Sequence, residues 1–308
     1  MKDYLNEINE LHPIRKKDEQ KSRFFDYVCQ NLGQDRVKKE VLEGKHNNIV
    51  IGDIEKAKVL FTAHYDTPAT ALYPNLMMPR NPVLTMLYHM IFPILMALIS
   101  LAIAYAICHV ASIDDRYAGI IFLPLYFGMF FLATRCFTNK NNKNDNTSGV
   151  AVIMSIASQV QSDKVAFILF DNEEKGLLGS KAMAKKYKEL LKNKLVINFD
   201  CVGDGSEMLF IAKKSALRNE CYFALQSVTV EENSINPYYF SIKGSTGSSD
   251  YKSFECGVGV MACKKGKGPI KFYTSRIHTA KDVVAKTENV EYLTNKMLEF
   301  IEEIETLY

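Results

Sequence analysis

Histidine and carboxylate residues stand at the ends of three apolar runs in this 308-residue sequence. The runs AKVLFTA, KVAFILF and KLVINF are followed in turn by His64 and Asp66, by Glu173 and Glu174, and by Asp200. Imidazole nitrogens and carboxylate oxygens bind divalent metals such as Zn²⁺, and a bound Zn²⁺ raises the acidity of water. These residue types therefore predict a metal centre with hydrolytic chemistry.

The local spacing of these residues assigns them different tasks. His64 and Asp66 alternate along a strand and point the same way, so Asp66 can hold the imidazole in the tautomer that binds metal. Two adjacent carboxylates at a strand end repel each other, and one acting as a ligand with the other moving protons resolves that conflict. Asp145, in the segment NDNTSG, precedes a predicted helix and is placed to bridge two metal ions.

The elements that must position these residues alternate between strands and helices. VGVMAC is a fourth predicted strand, and apolar residues at helical spacing predict helices over 147–161, 180–192 and 289–307. We therefore expect an α/β fold, a three-layer sandwich whose central mixed, mostly parallel sheet is flanked by helices. The candidate ligands converge at the carboxyl edge of that sheet, where open α/β folds bind ligands.

An apolar segment interrupts this pattern between Asn81 and Thr138. No residue from Asn81 to Ile113 carries a fixed charge, and after a short polar turn residues 117–134 are again uncharged. A membrane helix needs roughly 20 apolar residues. We predict a two-helix transmembrane hairpin over 82–137, inserted into a discontinuous catalytic domain of residues 1–81 and 138–308. Two buried core helices, or a hydrophobic lid over the active site, are the alternative.

Flanking charges orient this predicted hairpin. Arg80, Arg135, Lys140 and Lys143 lie on the side of the main domain, whereas the turn offers Arg116 beside Asp114 and Asp115. The positive-inside rule then predicts an integral membrane protein with two spans and a cytoplasmic catalytic domain. The seven cysteines include no C-x-x-C pair, and no secretory signal is recognisable at the N-terminus, which agrees with that location.

Composition excludes one large class of partner. The formal net charge is +3, and the lysines are scattered among acidic residues rather than gathered on one helix. A nucleic-acid-binding surface would need a basic patch or stripe. The expected partners are therefore a peptide substrate, which could be membrane-associated, and the lipid bilayer around residues 82–137, with no nucleic acid.

Six short motifs taken in order resemble a known enzyme family. They are HYDTP, DNTSG, EEKGLLGS, NFDCVG, SSD and IHTAKD. This series resembles the co-catalytic zinc peptidases, the family that includes bacterial leucine aminopeptidase, glutamate carboxypeptidase II and glutaminyl cyclase. The resemblance covers nearly the whole chain outside the predicted hairpin. About 80 residues separate His64 from Asp145, however, where the family usually has a modest loop.

The resemblance implies two Zn²⁺ ions that share one ligand. One ion would be bound by His64, Asp145 and Asp200, and the other by Asp145, Glu174 and His278. Glu173 would be the general base that accepts a proton from the attacking water and passes it to the leaving amine. Carboxylate and imidazole ligands also accept cobalt or manganese, so zinc follows from the resemblance alone.

Further residues are assigned supporting roles. Asp66 and Asp282 would orient the ligands. Asp250 matches the Ser-Asp element of the family or caps a helix, and Tyr251 or Tyr273 could stabilise an oxyanion. The four histidines outside the motifs are expected to be structural: His12, His46, His89 and His109.

The expected function is that of a membrane-anchored zinc exopeptidase, most directly an aminopeptidase. Three alternatives stay open at this point: a glutaminyl-cyclase-like acyltransferase, a carboxypeptidase or dipeptidase, and a non-catalytic membrane scaffold. A scaffold would be expected to lose ligands or the base, and all of them are present here.

Overall fold

The apolar runs form the strands of one central sheet in the computed structural model, which describes residues 2–230 and 234–307. The strands are β1 (Val37–Leu42), β2 (His46–Ile51), β3 (Val59–His64), β4 (Ala69–Thr70), β5 (Phe137–Thr138), β6 (Val165–Phe170), β7 (Leu195–Phe199), β8 (Glu207–Ala212), β9 (Asn236–Ser241), β10 (Gly257–Lys265) and β11 (Phe272–Tyr273). The helices are α1 (Tyr4–Leu11), α2 (Asp18–Leu32), α3 (Pro82–Val110), α4 (Ala118–Thr134), α5 (Gly149–Ala157), α6 (Leu178–Lys186), α7 (Lys188–Leu191), α8 (Glu220–Ser227) and α9 (Thr287–Leu307).

The sheet is mixed, with a parallel centre. Its strand order is β1-β2-β6-β3-β7-β10-β8-β9, with β11 paired to β10. The four central strands β6, β3, β7 and β10 run parallel, whereas β2 and β8 pair antiparallel with their neighbours β6 and β10. Every residue of β3, β6 and β7 is buried, as expected for strands covered by helices on both faces. The predicted α/β class is confirmed.

Alternate residues of the central strands pack against different helix layers. Phe61 of β3 faces the cluster that contains Met297 and Phe300 of α9, whereas Leu60 faces the cluster that contains Met183 of α6. This follows from the two-residue period of side chains along a strand. The sheet therefore lies between a layer that includes α5 and α9 and a layer that includes α6, which holds its carboxyl edge rigidly in place.

The predicted helices form with shifted bounds. The pattern over 147–161 gives α5, which ends at Ala157, and the pattern over 180–192 is divided into α6 and α7. The division falls at Tyr187, whose backbone leaves the helical region (φ −108°, ψ 31°) while its hydroxyl donates to Glu40 Oε1 at 2.7 Å. Strands β1, β2, β8 and β9 were not predicted.

The apolar segment forms two antiparallel helices that project from the domain. Helix α3 has 29 residues and contains Pro93, and the second apolar helix, Asp115–Thr134, includes α4. Both are long and apolar enough to cross a membrane, and only 17% and 6% of the most apolar 18-residue stretch of each helix is buried. That low burial is inconsistent with two core helices of a soluble domain.

The base of the hairpin is bonded to the rest of the fold. The short strands β4 and β5 pair across it, and Leu72 N donates to Ala133 O at 2.8 Å. The first turns of α3 also touch the domain, since Tyr88 Oη donates to Pro74 O at 2.9 Å. The ring of Tyr73 stacks on Phe92 with centroids 4.0 Å apart. The hairpin is thus continuous with the region around the predicted metal ligands.

Candidate metal centre

The predicted ligands converge at the carboxyl edge of the parallel strands. His64 ends β3, Asp200 follows β7, and Glu173 and Glu174 form a short helical turn after β6. Because these three strands are parallel neighbours, their carboxyl ends meet at one edge. Asp145 reaches the same place from the loop before α5, so residues far apart in the sequence share one site.

The carboxylate of Asp145 stands between the two histidines. Its Oδ1 lies 3.3 Å from His64 Nε2, and its Oδ2 lies 2.9 Å from His278 Nε2. Asp200 Oδ1 is 3.7 Å from His64 Nε2, and Glu174 Oε1 is 3.5 Å from His278 Nε2. The site therefore consists of two triads that share one aspartate.

The donor atoms fit a pair of divalent metal ions. Within each triad, His64–Asp145–Asp200 and Asp145–Glu174–His278, the ligand atoms lie within 4.8 Å of one another. Glu174 Oε1 is buried and has no hydrogen-bond partner in the described residues, which a metal ion would supply. Two imidazoles and three carboxylates make a nitrogen and oxygen donor set that zinc accepts.

Asp66 contacts both His64 and the two glutamates. His64 Nδ1 lies 3.1 Å from the backbone carbonyl of Asp66, which thus fixes the imidazole and leaves Nε2 for metal. The Asp66 carboxylate, whose Oδ1 lies 3.7 Å from His64 Nδ1, also accepts the backbone N–H groups of Glu173 at 2.9 Å and Glu174 at 3.2 Å. Asp66 therefore positions both the candidate base and a candidate ligand.

Asp282 holds the loop of the shared aspartate. Its two carboxylate oxygens accept the backbone N–H groups of Asn144 at 3.1 Å and Asp145 at 3.0 Å. Burial, together with the nearby charge of Asp145, raises the pKa of Asp282 to about 8. This residue fixes the direction of the Asp145 side chain from behind.

Charge and burial act in opposite directions on the two central acids. Burial disfavours its anion, but the neighbouring His278 and His64 hold the pKa of Asp145 well below its usual range. For Glu173, burial raises the pKa well above the ordinary value despite the opposing influence of His64. A carboxylate with a raised pKa is better able to accept a proton near neutral pH.

Asparagine side chains brace the same loop, and sequence patterns did not single them out. Asn146 Nδ2 donates to Phe199 O at 2.9 Å, while Asn146 Oδ1 accepts from the backbone N–H of Cys201 at 3.2 Å. Asn144 Oδ1 accepts from the backbone N–H of Gly203 at 2.6 Å. The Asp145–Asn146 peptide bond is cis. The loop of Asp145 is thereby joined to the residues that flank Asp200.

Arg15 is a second residue without a sequence signal. It is fully buried, and its guanidinium donates to Tyr65 O at 2.6 Å, to Thr147 Oγ1 at 3.0 Å and to His12 O at 2.7 Å. Its contacts near the site are with residues far away in the sequence, so no local pattern identifies it. Arg15 connects the chain beside His64 to the chain beside Asp145.

Three predicted residues remain, Asp250, Tyr251 and Tyr273. Asp250 is fully buried, and both of its carboxylate oxygens lack a hydrogen-bond partner in the described residues. It begins a short turn, Asp250–Ser253, without capping it, so the helix-cap interpretation is not supported. Burial raises the pKa of Asp250 to about 7. Tyr251 lines the cavity at the site, whereas Tyr273 lies in β11 and lines neither of the cavities described below.

A cavity of about 490 Å³ opens over the ligands and the candidate base. Apolar and aromatic side chains also line this cavity, among them Met77, Ile211, Tyr251, Met261 and Ile277. His89 of α3 also lines it, so this histidine, expected to be structural, belongs to the cavity wall. The site can therefore accommodate an apolar group next to the metal ligands.

Comparisons with known proteins agree with this geometry. The description "Peptidase family M28" matches residues 138–299, more than half of the chain. No curated protein sequence matches the chain closely.

Three solved structures illustrate the likeness of fold. A Zn-dependent exopeptidase from Parabacteroides distasonis has a TM-score of 0.56 at 15% identity, covering 97% of this chain and 95% of that one. The LapA aminopeptidase of Legionella pneumophila has a TM-score of 0.55 at 15% identity, covering 97% of this chain and 68% of that one. Porphyromonas gingivalis glutaminyl cyclase has a TM-score of 0.54 at 13% identity, covering 97% of this chain and 96% of that one. At such identities the comparison shows a shared fold.

Proposed function

The chain belongs to peptidase family M28, and from that premise we propose that it is a membrane-anchored, zinc-dependent aminopeptidase. The resemblance to co-catalytic zinc peptidases is confirmed by this membership. Release of N-terminal residues, the presence of two zinc ions and the membrane anchor are the proposed specifics.

One observation carries the proposal: the carboxylate of Asp145 presents one oxygen to His64 and the other to His278. A carboxylate placed in this way can bridge two metal ions, each completed by a further acid, Asp200 or Glu174. Paired ions of this kind serve hydrolysis by stabilising both the attacking and the leaving group. A structural metal site would be closed by four protein ligands, whereas each triad here leaves a position open.

The residues of this chain have distinct tasks in the proposed reaction. Zinc, when bound, supplies Lewis acidity that polarises the scissile carbonyl and acidifies water. Glu173 accepts the proton of the attacking water and returns it to the leaving amine. The backbone N–H bond to Asp66 holds Glu173 in place. The apolar end of the cavity receives the side chain of the N-terminal residue.

We further propose that residues 82–137 anchor the enzyme in a membrane and that residues 1–81 and 138–308 form its catalytic domain. Exposed leucine, isoleucine, methionine and phenylalanine side chains cover both helices, and hydrocarbon is the medium that suits such a surface. Arg80, Arg135, Lys140 and Lys143 flank the helices on the domain side. The positive-inside rule supports a cytoplasmic domain.

The competing functions predict different reactions. A glutaminyl cyclase, which has the same fold, would cyclise N-terminal glutamine with release of ammonia, and a carboxypeptidase would accept N-blocked peptides. A scaffold would bind no metal. Retention of both triads and of Glu173 favours an enzyme over a scaffold.

The test is hydrolysis of peptides with free or acetylated N-termini by detergent-purified protein of known zinc content. We expect cleavage of the free-amine peptides alone, and a loss of kcat of about 10²–10⁴-fold in Glu173→Gln with unchanged zinc content, because general-base catalysis contributes that much. Glu189→Gln, a change of an exposed glutamate on α7, is the matched control.

Three results would overturn the assignment. Cleavage of acetylated peptides would indicate a carboxypeptidase or endopeptidase. Ammonia release from glutaminyl peptides without hydrolysis would indicate a cyclase. Zinc-loaded protein that acts on none of these substrates would indicate a scaffold.

A further inference from the structure

A second cavity, of about 430 Å³, lies on the side of the metal centre formed by Glu174 and His278. It shares five lining residues with the first cavity: Tyr73, Arg135, Glu174, Lys175 and His278. The candidate ligands Glu174 and His278 therefore stand at the junction of two compartments. A substrate bound at the metal centre can extend into both.

The second cavity differs from the first in its charge. Four cationic side chains line it, Lys16, Lys21, Arg135 and Lys175, of which Arg135 and Lys175 also line the first cavity. Only two acids line it, Asp66 and Glu174, whereas four line the first cavity: Asp145, Glu173, Glu174 and Asp200. Lys21 is buried and paired with Asp171 at 2.5 Å, so its charge is neutralised. Lys16, Arg135 and Lys175 make no ion pair with any carboxylate in the part of the chain that the structure describes.

The acids at this cavity do not offset these three cations. The carboxylate of Asp66 is occupied by the backbone N–H groups of Glu173 and Glu174. Glu174 is a candidate metal ligand next to His278. Three uncompensated cations around one concave space attract an anion, and a carboxylate is the anion that a peptide carries at its C-terminus.

We propose that this second cavity binds the C-terminal carboxylate of short peptide substrates through Lys16, Arg135 and Lys175. The inference rests on the proposed aminopeptidase function. The N-terminal side chain occupies the apolar compartment, the scissile bond lies at the metal centre, and the released fragment occupies the cationic compartment. Because each further extended residue moves the C-terminal carboxylate about 3.3–3.6 Å away from the scissile bond, a carboxylate site next to the metal centre suits short peptides.

The position of the cavity favours a peptide over an anionic lipid. Phe130 and Thr134 of α4 line one side, so a lipid headgroup could approach from the membrane. The cationic space, however, continues directly to Glu174 and His278, where a substrate must lie. In a bound peptide the C-terminal carboxylate is covalently joined to the scissile bond, so it lies close to the metal centre and can reach these cations.

The experiment compares kcat/KM for leucylglycine and for leucylglycinamide, which differ in the C-terminal carboxylate. Zinc-loaded protein in detergent is expected to prefer the free acid by about ten- to a hundredfold, since hydrogen bonds to charged groups are strong. In Lys16→Met/Lys175→Met this preference falls to about threefold or less. Both lysines are at least partly exposed, and thermal melting checks that the variant is folded.

Lys140→Met is the matched control, because Lys140 is an exposed cation on the same side of the hairpin and lines neither cavity. It should retain the full preference for the acid. Hydrolysis of leucine arylamide, which has no carboxylate, tests the proposed function separately. Arylamide cleavage by wild type without a preference for the acid would overturn this inference alone.

A lipid occupant gives a distinct result. Protein in vesicles of phosphatidylcholine, with and without phosphatidylglycerol, is assayed on the same two peptides. Equal kcat/KM for acid and amide, together with an effect of phosphatidylglycerol that Lys16→Met/Lys175→Met abolishes, would assign the cavity to lipid phosphate and overturn the proposal.

Discussion

Asp145 is the residue on which both halves of the candidate centre depend, because each of its carboxylate oxygens faces a different histidine. His278, in contrast, belongs to one triad only. Replacing Asp145 should therefore lower the metal content more than replacing His278 does. The difference between the two variants tests whether Asp145 bridges two ions.

We expect Asp145→Asn to bind less than one zinc per chain and His278→Ala to bind about one, against about two in wild type. The neutral amide of asparagine is a weaker ligand, and its nitrogen cannot bind metal in place of the second oxygen. Elemental analysis after dialysis against zinc-buffered solution measures the content. Asp163→Asn, on an exposed loop, is the control. Wild-type zinc content in Asp145→Asn would disprove a bridging role.

The ligand types were readable from the sequence, whereas their supports were not. His64, Glu174 and Asp200 directly follow or end apolar strands, so their convergence follows from strand direction. Arg15 and Asn146 act through backbone carbonyls and N–H groups far away in the chain, and no local spacing records such contacts. Asp66 was identified, but only its surroundings reveal that its carboxylate orients the glutamates.

At the scale of elements, the segment between α1 and α2 stabilises the site without contributing a ligand. Arg15 lies in this segment and joins it to the end of β3 and to the loop before α5. In the metal-free protein its buried charge also offsets the carboxylates Asp66 and Asp145, which favour the guanidinium.

Arg15→Met should therefore lower the free energy of unfolding by about 2–4 kcal/mol, because buried carbonyl groups lose their donor. The loss should be larger in EDTA than with saturating zinc, since bound zinc supplies positive charge of its own. Urea unfolding in detergent measures the free energy of unfolding. It can be followed by circular dichroism or by tyrosine fluorescence, since the chain has no tryptophan. Arg23→Met, on the exposed face of α2, should be near neutral. An equal loss of unfolding free energy in EDTA and with saturating zinc would show that the charge of Arg15 does not offset the carboxylates of the site.

The buried elements were predictable and the edge elements were not. Strands β3, β6 and β7 are continuous apolar runs because helices cover both faces. Strand β1, with the sequence VKKEVL, is half exposed and charged, so its pairing with β2 depends on neighbours that sequence patterns do not show.

At the scale of the whole molecule, one apolar surface dominates. It is formed by α3 and α4, and an exposed apolar surface of this extent is typical of an interaction with a membrane or another protein. The sequence indicated its composition and bounds, but not that α3 would contribute His89 to the cavity wall. The proposed membrane anchor and the active site are thus parts of one structure.

We expect wild-type protein to stay in the membrane fraction after alkaline carbonate extraction and to need detergent for release. Leu95→Lys/Leu98→Lys places two charges on the exposed face of α3, where each costs about 3 kcal/mol at the centre of a membrane span, and should move protein out of this fraction. Leu11→Lys, at an exposed position of α1, is the control. A wild-type protein that is monomeric and soluble without detergent would contradict the anchor.

The position of the hairpin in the chain also sets an order of synthesis. His64 and strand β3 are translated before α3 and α4, whereas the other four candidate ligands, and strands β6 and β7 that enclose β3, are translated after them. With both helices inserted as proposed, the ribosome completes the membrane anchor before the sheet can close. All five candidate ligands are therefore present only after both helices have been synthesised, so zinc can complete the site only in a chain that already carries its proposed anchor.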